Sequence, residues 1–193
     1  MKTVLIVRHA KSLLAFNDIP DLKRPLTEKG KKRIKKVIDY LLERNIRVDY
    51  ILSSHAVRAI ETAKMLAHAL KYPKEDIKSD PQLYFCDGKG ILNQFYDLPD
   101  RFKSVMIVGH NPALSDFVNK YLSEPIDHLP TSGIVSISFL TENWDQVPKA
   151  DYKINFLLFL KEVKKKSKSG LNRFSAESPV ESNSYSLSAI LSN

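Results

Sequence analysis

The chain has 193 residues, of which 43% are hydrophobic and 27% are charged, and its formal net charge is +8. This composition is typical of a globular protein with a substantial core and excludes a chain disordered throughout. The single cysteine, Cys86, excludes an internal disulfide and any metal site built from several cysteines. No apolar run approaches the roughly 20 residues of a membrane span. We therefore expect a cytoplasmic protein that does not bind membranes.

In the first half of the chain, predicted strands alternate with predicted helices. Thr3–Val7 is a continuous aliphatic and β-branched run, as in a buried central strand. After Thr27, a plausible N-cap, apolar residues recur at helical spacing with lysines and arginines between them. Asp49–Ser53 predicts a second strand, and a second helix follows it and ends near Pro73.

The second half continues this alternation. A short helix is expected around Ile91–Tyr96, and Ser104–Val108 predicts a third buried strand. Asn111 is expected to cap the next helix. Gly133–Leu140 and Tyr152–Leu160 predict two further strands that form a hairpin. The pattern predicts an α/β fold, a three-layer sandwich in which helices flank a mostly parallel central sheet.

The last part of the chain differs in composition. Nine of its 33 residues from 161 onward are serine, and a cluster of five lysines opens the segment: Lys161, Lys164, Lys165, Lys166 and Lys168. Low hydrophobicity of this kind is typical of a loose tail. We therefore expect residues 1–160 to form one catalytic domain and residues 161–193 to form a flexible Lys/Ser-rich tail.

Arginines and histidines follow three of the predicted strands. Arg8 and His9 follow the first, Arg58 lies shortly after the second, and His110 follows the third. Ligands of open α/β sheets collect at the carboxyl ends of the strands, so these side chains can converge. Arginine matches phosphate oxygens, and a neutral imidazole is a good nucleophile toward phosphorus near neutral pH. The set predicts a phosphoryl site, and since no carboxylate cluster accompanies it, no metal or other cofactor is expected.

The motifs around these residues resemble those of a known family. VRHAKS at Val7–Ser12 is similar to the signature of the histidine phosphatase superfamily, also called phosphoglycerate mutase-like. Arg24–Gly30, Ser53–Ala63 and Gly109–Pro112 resemble its further motifs in the same order. The resemblance is closest to the SixA-like phosphohistidine phosphatases, because RHAKS lacks the glycine that mutases carry after the histidine. The segment before Arg24 also follows His9 at the short interval of that branch.

This resemblance implies a phosphoglycerate mutase-like fold without a large lid insertion. It implies a metal-independent phosphatase that hydrolyses phosphohistidine on a protein, such as a histidine-phosphotransfer domain. His9 would be the catalytic nucleophile, transiently phosphorylated on its ring. Arg8, Arg58 and His110 would bind the phosphoryl oxygens and stabilise the charge in transfer.

A proton donor is harder to assign. Mutases and phosphomonoesterases of this superfamily use an acidic residue, and no glutamate stands in the matching segment, residues 82–87. Asp18, Asp21 and Asp87 are the nearby candidates. An alcohol leaving group needs a proton strongly, whereas a protonated phosphoramidate leaves as neutral imidazole and needs less. The missing glutamate therefore favours phosphohistidine over sugar phosphate esters.

The neighbouring polar residues have more ordinary interpretations. We expect Thr62 to be a packing or capping partner, and Ser53 and Ser54 to serve as strand-exit and N-cap residues. Lys11 and Arg24 either border the pocket or are plain surface charges.

Two other functions remain open. One is a small-molecule phosphomonoesterase of the same superfamily, and the other is a low-activity phosphate-binding module. Nucleic-acid binding is not expected, because the lysine-rich stretches at Lys29–Lys36 and Lys161–Lys168 lack interleaved aromatic residues for base stacking.

Overall fold

A computed structural model describes residues 1–14 and 19–160. Asp18 and the predicted tail at residues 161–193 lie outside the described residues, so the division at residue 160 stays a prediction. No helix in the described part is long and apolar enough to cross a membrane.

One mixed sheet organises the fold. Its strand order is β3-β2-β4-β1-β5-β6, in which β3, β2, β4 and β1 run parallel and β5 pairs antiparallel with both β1 and β6. This arrangement confirms the mostly parallel sheet and the C-terminal hairpin. The strands are β1 Lys2–Arg8, β2 Tyr50–Ser54, β3 Lys78–Asp80, β4 Ser104–Gly109, β5 Ile134–Phe139 and β6 Tyr152–Leu158.

The helices lie between these strands: α1 Glu28–Glu43, α2 Val57–Ala69, α3 Gln82–Phe85, α4 Gly88–Tyr96 and α5 Ala113–Val118. The predicted cap of α1 is confirmed, because Thr27 Oγ1 accepts a hydrogen bond from the Gly30 backbone N–H at 3.0 Å. The predicted cap of α5 is wrong. The Asn111 side chain instead donates through Nδ2 to the Leu129 carbonyl at 3.0 Å, which ties two loops together.

Two apolar layers cover the sheet. Successive side chains of a strand point to opposite faces. Val4 and Ile6 accordingly pack in one buried cluster, with residues of α4 and α5. Leu5 and Val7 pack in the other, with residues of α1 and α2. The predicted three-layer α/β sandwich is therefore confirmed.

The register of the sheet brings the strand ends level. Arg8 at the end of β1 pairs with Gly109 at the end of β4, and Ser53 of β2 pairs with Val108 of β4. We call the edge where β1, β2 and β4 end the carboxyl edge, and the edge where they begin the amino edge. His9, Ser54 and His110 therefore lie at the carboxyl edge of the sheet.

Candidate active site

The four predicted site residues come together at the carboxyl edge. The rings of His9 and His110 lie with their centroids 4.9 Å apart, and both side chains are almost buried. Arg58 rises from the first turn of α2 and is also buried. Burial and the nearby charge of Arg58 lower the pKa of Arg8. The two guanidinium groups therefore lie close enough for their charges to interact.

His9 is held as a neutral imidazole with a defined tautomer. Its Nδ1 lies 2.8 Å from the Ala10 carbonyl oxygen. Because a carbonyl only accepts, Nδ1 carries the proton and Nε2 keeps its lone pair. Burial, together with the charges of Arg58, Arg8 and Arg24, lowers the pKa of His9 to about 4, although the bond to Ala10 opposes this. At neutral pH the ring therefore offers an unprotonated Nε2.

Ser54 contacts the ring of His110. The Ser54 Oγ accepts from the Ala56 backbone N–H at 3.4 Å and lies 2.8 Å from His110 Nε2. In the tautomer in which the hydroxyl donates to Nε2, Nδ1 carries the ring proton. Burial, then the neighbouring His9 and Arg58, lowers the pKa of His110 to about 3, so the ring is neutral at pH 7.

Four buried nitrogen atoms at this edge lack a partner within the described residues: Arg8 Nε, His55 Nδ1, Arg58 Nε and His110 Nδ1. The arginines are otherwise anchored, since Arg8 Nη1 donates to the Leu129 carbonyl at 2.7 Å and Arg58 Nη1 donates to the Asp21 carbonyl at 2.7 Å. A buried donor without an acceptor is costly. The oxygens of a phosphoryl group would supply the acceptors that these donors lack.

Asp21 reaches the site, but as a carboxylate. Its Oδ2 accepts from Arg58 Nη2 at 2.9 Å and also from the Tyr84 hydroxyl, while Oδ1 accepts from Arg24 Nε at 2.8 Å. Burial raises the pKa of Asp21, but the hydrogen bonds from Tyr84, Arg24 and Arg58 outweigh it and lower the pKa to about 2. Asp21 is therefore ionised at neutral pH and has no proton to donate.

The other two carboxyl candidates differ in position. Asp87 accepts a hydrogen bond from the Gly90 backbone N–H at 2.9 Å and so caps the start of α4. Asp18 is outside the described residues. Within the described part of the chain, no group of three or more His, Cys, Asp or Glu side chains could hold a metal ion.

The neighbouring polar residues brace or border the site. Thr62 Oγ1 accepts from the Ala10 backbone N–H at 3.0 Å and donates to the Arg58 carbonyl at 2.7 Å, so it packs α2 against the segment that follows β1. Lys11 and Arg24 line a cavity of about 310 Å³ together with Arg8 and His9. Both cations therefore border the pocket.

Sequence reasoning missed Tyr84 and His55. The Tyr84 ring lies with its centroid 5.4 Å from each of the His110 and His55 rings, and 5.8 Å from the Arg58 guanidinium carbon. No local pattern around Tyr84 indicates this contact. His55 directly follows β2, so the strand-end rule could have selected it.

A larger cavity of about 770 Å³ lies elsewhere, lined by Tyr50, Tyr72 and Phe102 among others. Tyr50 begins β2 and Phe102 precedes β4, so this cavity opens at the amino edge. None of the candidate residues lines it, whereas Arg8 and His9 line the smaller cavity. We therefore take the smaller cavity as the candidate active site.

The family model of the histidine phosphatase superfamily, branch 1, matches residues 4–84, which include His9 and Arg58. Over these residues the chain is similar to the histidine phosphatase superfamily. This match agrees with the predicted superfamily and with the prediction that the chain is a hydrolase of the phosphatase class.

Solved structures of SixA proteins share the fold. A protein of Agrobacterium tumefaciens, provisionally named phosphohistidine phosphatase SixA, superposes with a TM-score of 0.70 at 25% identity, covering 82% of this chain and 98% of that one. The protein histidine phosphatase SixA complexed with tungstate superposes with a TM-score of 0.67 at 22% identity, covering 81% and 96%. These matches confirm the predicted SixA-like architecture.

A curated relative is named for a different phosphatase activity. The mitochondrial serine/threonine-protein phosphatase Pgam5 of Drosophila ananassae is 26% identical over 72% of this chain. The chain spans 63% of the length of that relative.

Proposed function

We propose that this protein is a metal-independent phosphatase of the histidine phosphatase superfamily that hydrolyses phosphohistidine on a protein through a phosphorylated His9. One observation carries the proposal. The unprotonated Nε2 of His9 shares the carboxyl edge with buried N–H donors of Arg8, Arg58 and His110 that lack acceptors.

In the first step, the His9 Nε2 lone pair attacks the phosphorus atom of the substrate. A new N–P bond forms, the substrate N–P bond breaks, and its electron pair returns to the substrate imidazole. Arg8, Arg58 and the Nδ1–H of His110 stabilise the phosphoryl oxygens during transfer. The Ala10 carbonyl accepts a hydrogen bond from the Nδ1–H of His9 and stabilises the ring as it gains positive charge.

In the second step, water attacks the phosphorus of phospho-His9. The His9 N–P bond breaks, its electron pair returns to Nε2, and inorganic phosphate leaves. The low pKa of His9 favours the neutral ring as the product of this step, so the nucleophile is restored without a separate deprotonation.

The leaving group favours phosphohistidine over a phosphate ester. An alkoxide needs a general acid, and the carboxylate that approaches the described site, Asp21, is ionised. A protonated phosphohistidine leaves as neutral imidazole and needs no such donor. The names given to the SixA proteins agree with this substrate class. We therefore rank a small phosphomonoester as the weaker candidate and a histidine-phosphotransfer domain as the model partner.

The decisive experiment traps the intermediate. The protein is mixed with a histidine-phosphotransfer domain carrying labelled phosphohistidine, and acid-labile label on the protein and released phosphate are followed. Wild type should carry label transiently and release phosphate, whereas His9→Ala should do neither. His68→Ala, at the exposed far end of α2, is the matched control and should behave as wild type.

Two results would count against the proposal. Equal phosphate release by wild type and His9→Ala would remove His9 as the nucleophile. Faster turnover of a phosphoserine peptide or of sugar phosphates than of the phosphohistidine protein would move the function to ester hydrolysis.

A further inference from the structure

Large hydrophobic side chains are exposed around the mouth of the site. Among the described residues, ten large hydrophobic side chains are exposed, and five of them belong to two segments beside the pocket. We call these five the apolar rim: Leu13, Leu14, Ile19, Leu22 and Phe85. Phe85 is the most exposed of all, at 89%. Single exposed apolar residues are ordinary on a protein surface. Here, however, half of the exposed large hydrophobic side chains cluster on one rim, as is typical of an interaction surface.

Contacts tie both segments of the rim to the catalytic residues. Leu14 lines the cavity that contains His9. The Leu13 carbonyl accepts a hydrogen bond from Arg24 Nη1 at 2.6 Å. On the other side, the Phe85 ring packs on Tyr84 with centroids 4.1 Å apart, and the Tyr84 hydroxyl bonds to Asp21, the neighbour of Leu22. The two segments are therefore joined to each other through the Tyr84–Asp21 contact.

Basic side chains lie among these apolar ones. Lys11 and Arg24 line the cavity, and Lys23 is exposed beside Leu22. Such a surface is complementary to apolar side chains flanked by carboxylates. A sugar phosphate or other small polar ester has nothing apolar to bury against it.

We propose that the apolar rim is the docking surface for an amphipathic helix of the phosphorylated partner, with the phosphohistidine on its apolar face and acidic residues beside it. This inference rests on the proposed function. A histidine side chain is short, so the backbone that delivers it to His9 must cross the rim. On a helix, the residues three and four positions away share the face of that histidine and would contact the rim.

The test separates docking from chemistry. Phe85→Ser and Ile19→Ser are combined, because these residues come from the two segments and neither lines the cavity. The matched control is Leu140→Ser, which is 69% exposed and directly follows β5 at the amino edge. kcat/KM is measured with a phosphorylated histidine-phosphotransfer domain and with phosphoramidate, a small donor that cannot reach the rim.

The double variant should lose about tenfold or more in kcat/KM on the phosphoprotein, mainly through KM, because apolar contacts central to an interface carry most of its affinity. Phosphoramidate turnover should stay at the wild-type value, and Leu140→Ser should match wild type on both substrates.

Three results would overturn the docking proposal. Equal losses on both substrates would mean that the rim supports the site itself, and no loss on either would mean that the rim does not touch the partner. A wild-type dimer that the double variant converts to a monomer would assign the rim to a second copy of this chain. The measurements on the wild type alone test the proposed function. If the wild type turns over phosphoramidate but does not dephosphorylate the phosphoprotein, the proposed function is rejected, and the docking proposal is rejected with it.

Discussion

Strand β1 begins on a buried cation and ends on a half-buried one, and the two cations differ in what surrounds them. At the amino edge, Lys2 has no exposed surface, and its Nζ donates to the Asp100 carbonyl at 2.6 Å and the Phe102 carbonyl at 3.0 Å. Its Nζ also lies 5.2 Å from the centroid of the Trp144 ring. At the carboxyl edge, Arg8 and Arg58 each have a buried Nε that has no partner among residues 1–14 and 19–160.

This difference separates a structural cation from a binding cation. A buried charge whose hydrogen bonds all end on fixed oxygens of the fold contributes to stability, and removing it leaves those oxygens unsatisfied. A buried charge with spare donors is costly to the free protein and becomes favourable when an anion binds. The amino edge and the carboxyl edge should therefore respond differently to the loss of these cations.

The largest effect is expected at the carboxyl edge. Arg58→Met removes a donor to the transferring phosphoryl group, so kcat/KM should fall about 10³-fold, as is usual for a lost oxyanion donor. The free energy of unfolding should change less than in Lys2→Met, because a buried unpartnered donor disappears and Asp21, which loses its hydrogen bonds to Arg58, has a side chain that is 44% exposed and can be solvated. Phosphoramidate turnover and urea unfolding measure the two quantities.

Tungstate supplies the control for this prediction. As an oxyanion it offers acceptors to the unpartnered donors of the folded site, so we expect it to raise the Tm of wild type and to raise the Tm of Arg58→Met much less. A variant that keeps its activity but unfolds several degrees earlier would show that Arg58 is a structural cation like Lys2.

The second effect is expected at the amino edge. Lys2→Met fills a similar space but leaves the Asp100 carbonyl without its donor, whereas the Phe102 carbonyl keeps the hydrogen bond from Trp144 Nε1 at 2.9 Å. The free energy of unfolding should fall by about 3 kcal/mol. The value of kcat/KM on phosphoramidate should not change at a temperature where the variant is folded. Lost turnover in a fully folded Lys2→Met would contradict the division between the two edges.

The sequence predicted the order of the layers and the residues at the strand ends much better than it predicted the contacts around them. The aliphatic run of β1 and the helical spacing after Thr27 are local signals, so the order of layers followed from them. Arg8, His9 and His110 could be placed because a buried strand ends at each of them. Strand β3 escaped detection because Lys78–Asp80 has no apolar pattern and is a strand only through its pairing with β2.

The contacts that tune the site were out of reach for a physical reason. Tyr84 meets Asp21 across 63 positions of sequence, and the pKa of Asp21 depends on that hydrogen bond together with two arginines. No local sequence pattern indicates which cations a loop carboxylate will contact in the folded protein. Lys2 likewise has the sequence pattern of an ordinary first residue of a strand. Its stabilising role is visible only from its burial against Trp144.

The smallest of these effects concerns the donor that His110 presents. Ser54 lies at the end of β2, its Oγ is 2.8 Å from His110 Nε2, and we expect its hydroxyl to donate to that nitrogen. Ser54→Ala removes this hydroxyl, so the ring can place its proton on either nitrogen, and part of the population loses the Nδ1–H donor. We expect kcat/KM to fall about tenfold, as for one weakened hydrogen bond to a charged group.

The tautomer itself can be measured. Long-range ¹⁵N–¹H correlation of the His110 ring should show the Nδ1–H form in wild type and a mixture in Ser54→Ala. Ser53→Ala is the matched control, because Ser53 is equally buried on the same strand and its hydroxyl donates to the Ser54 carbonyl rather than to a ring. If both serine variants lose the same activity while His110 keeps the Nδ1–H tautomer, the loss comes from packing at the strand end, and Ser54 has no part in directing the proton.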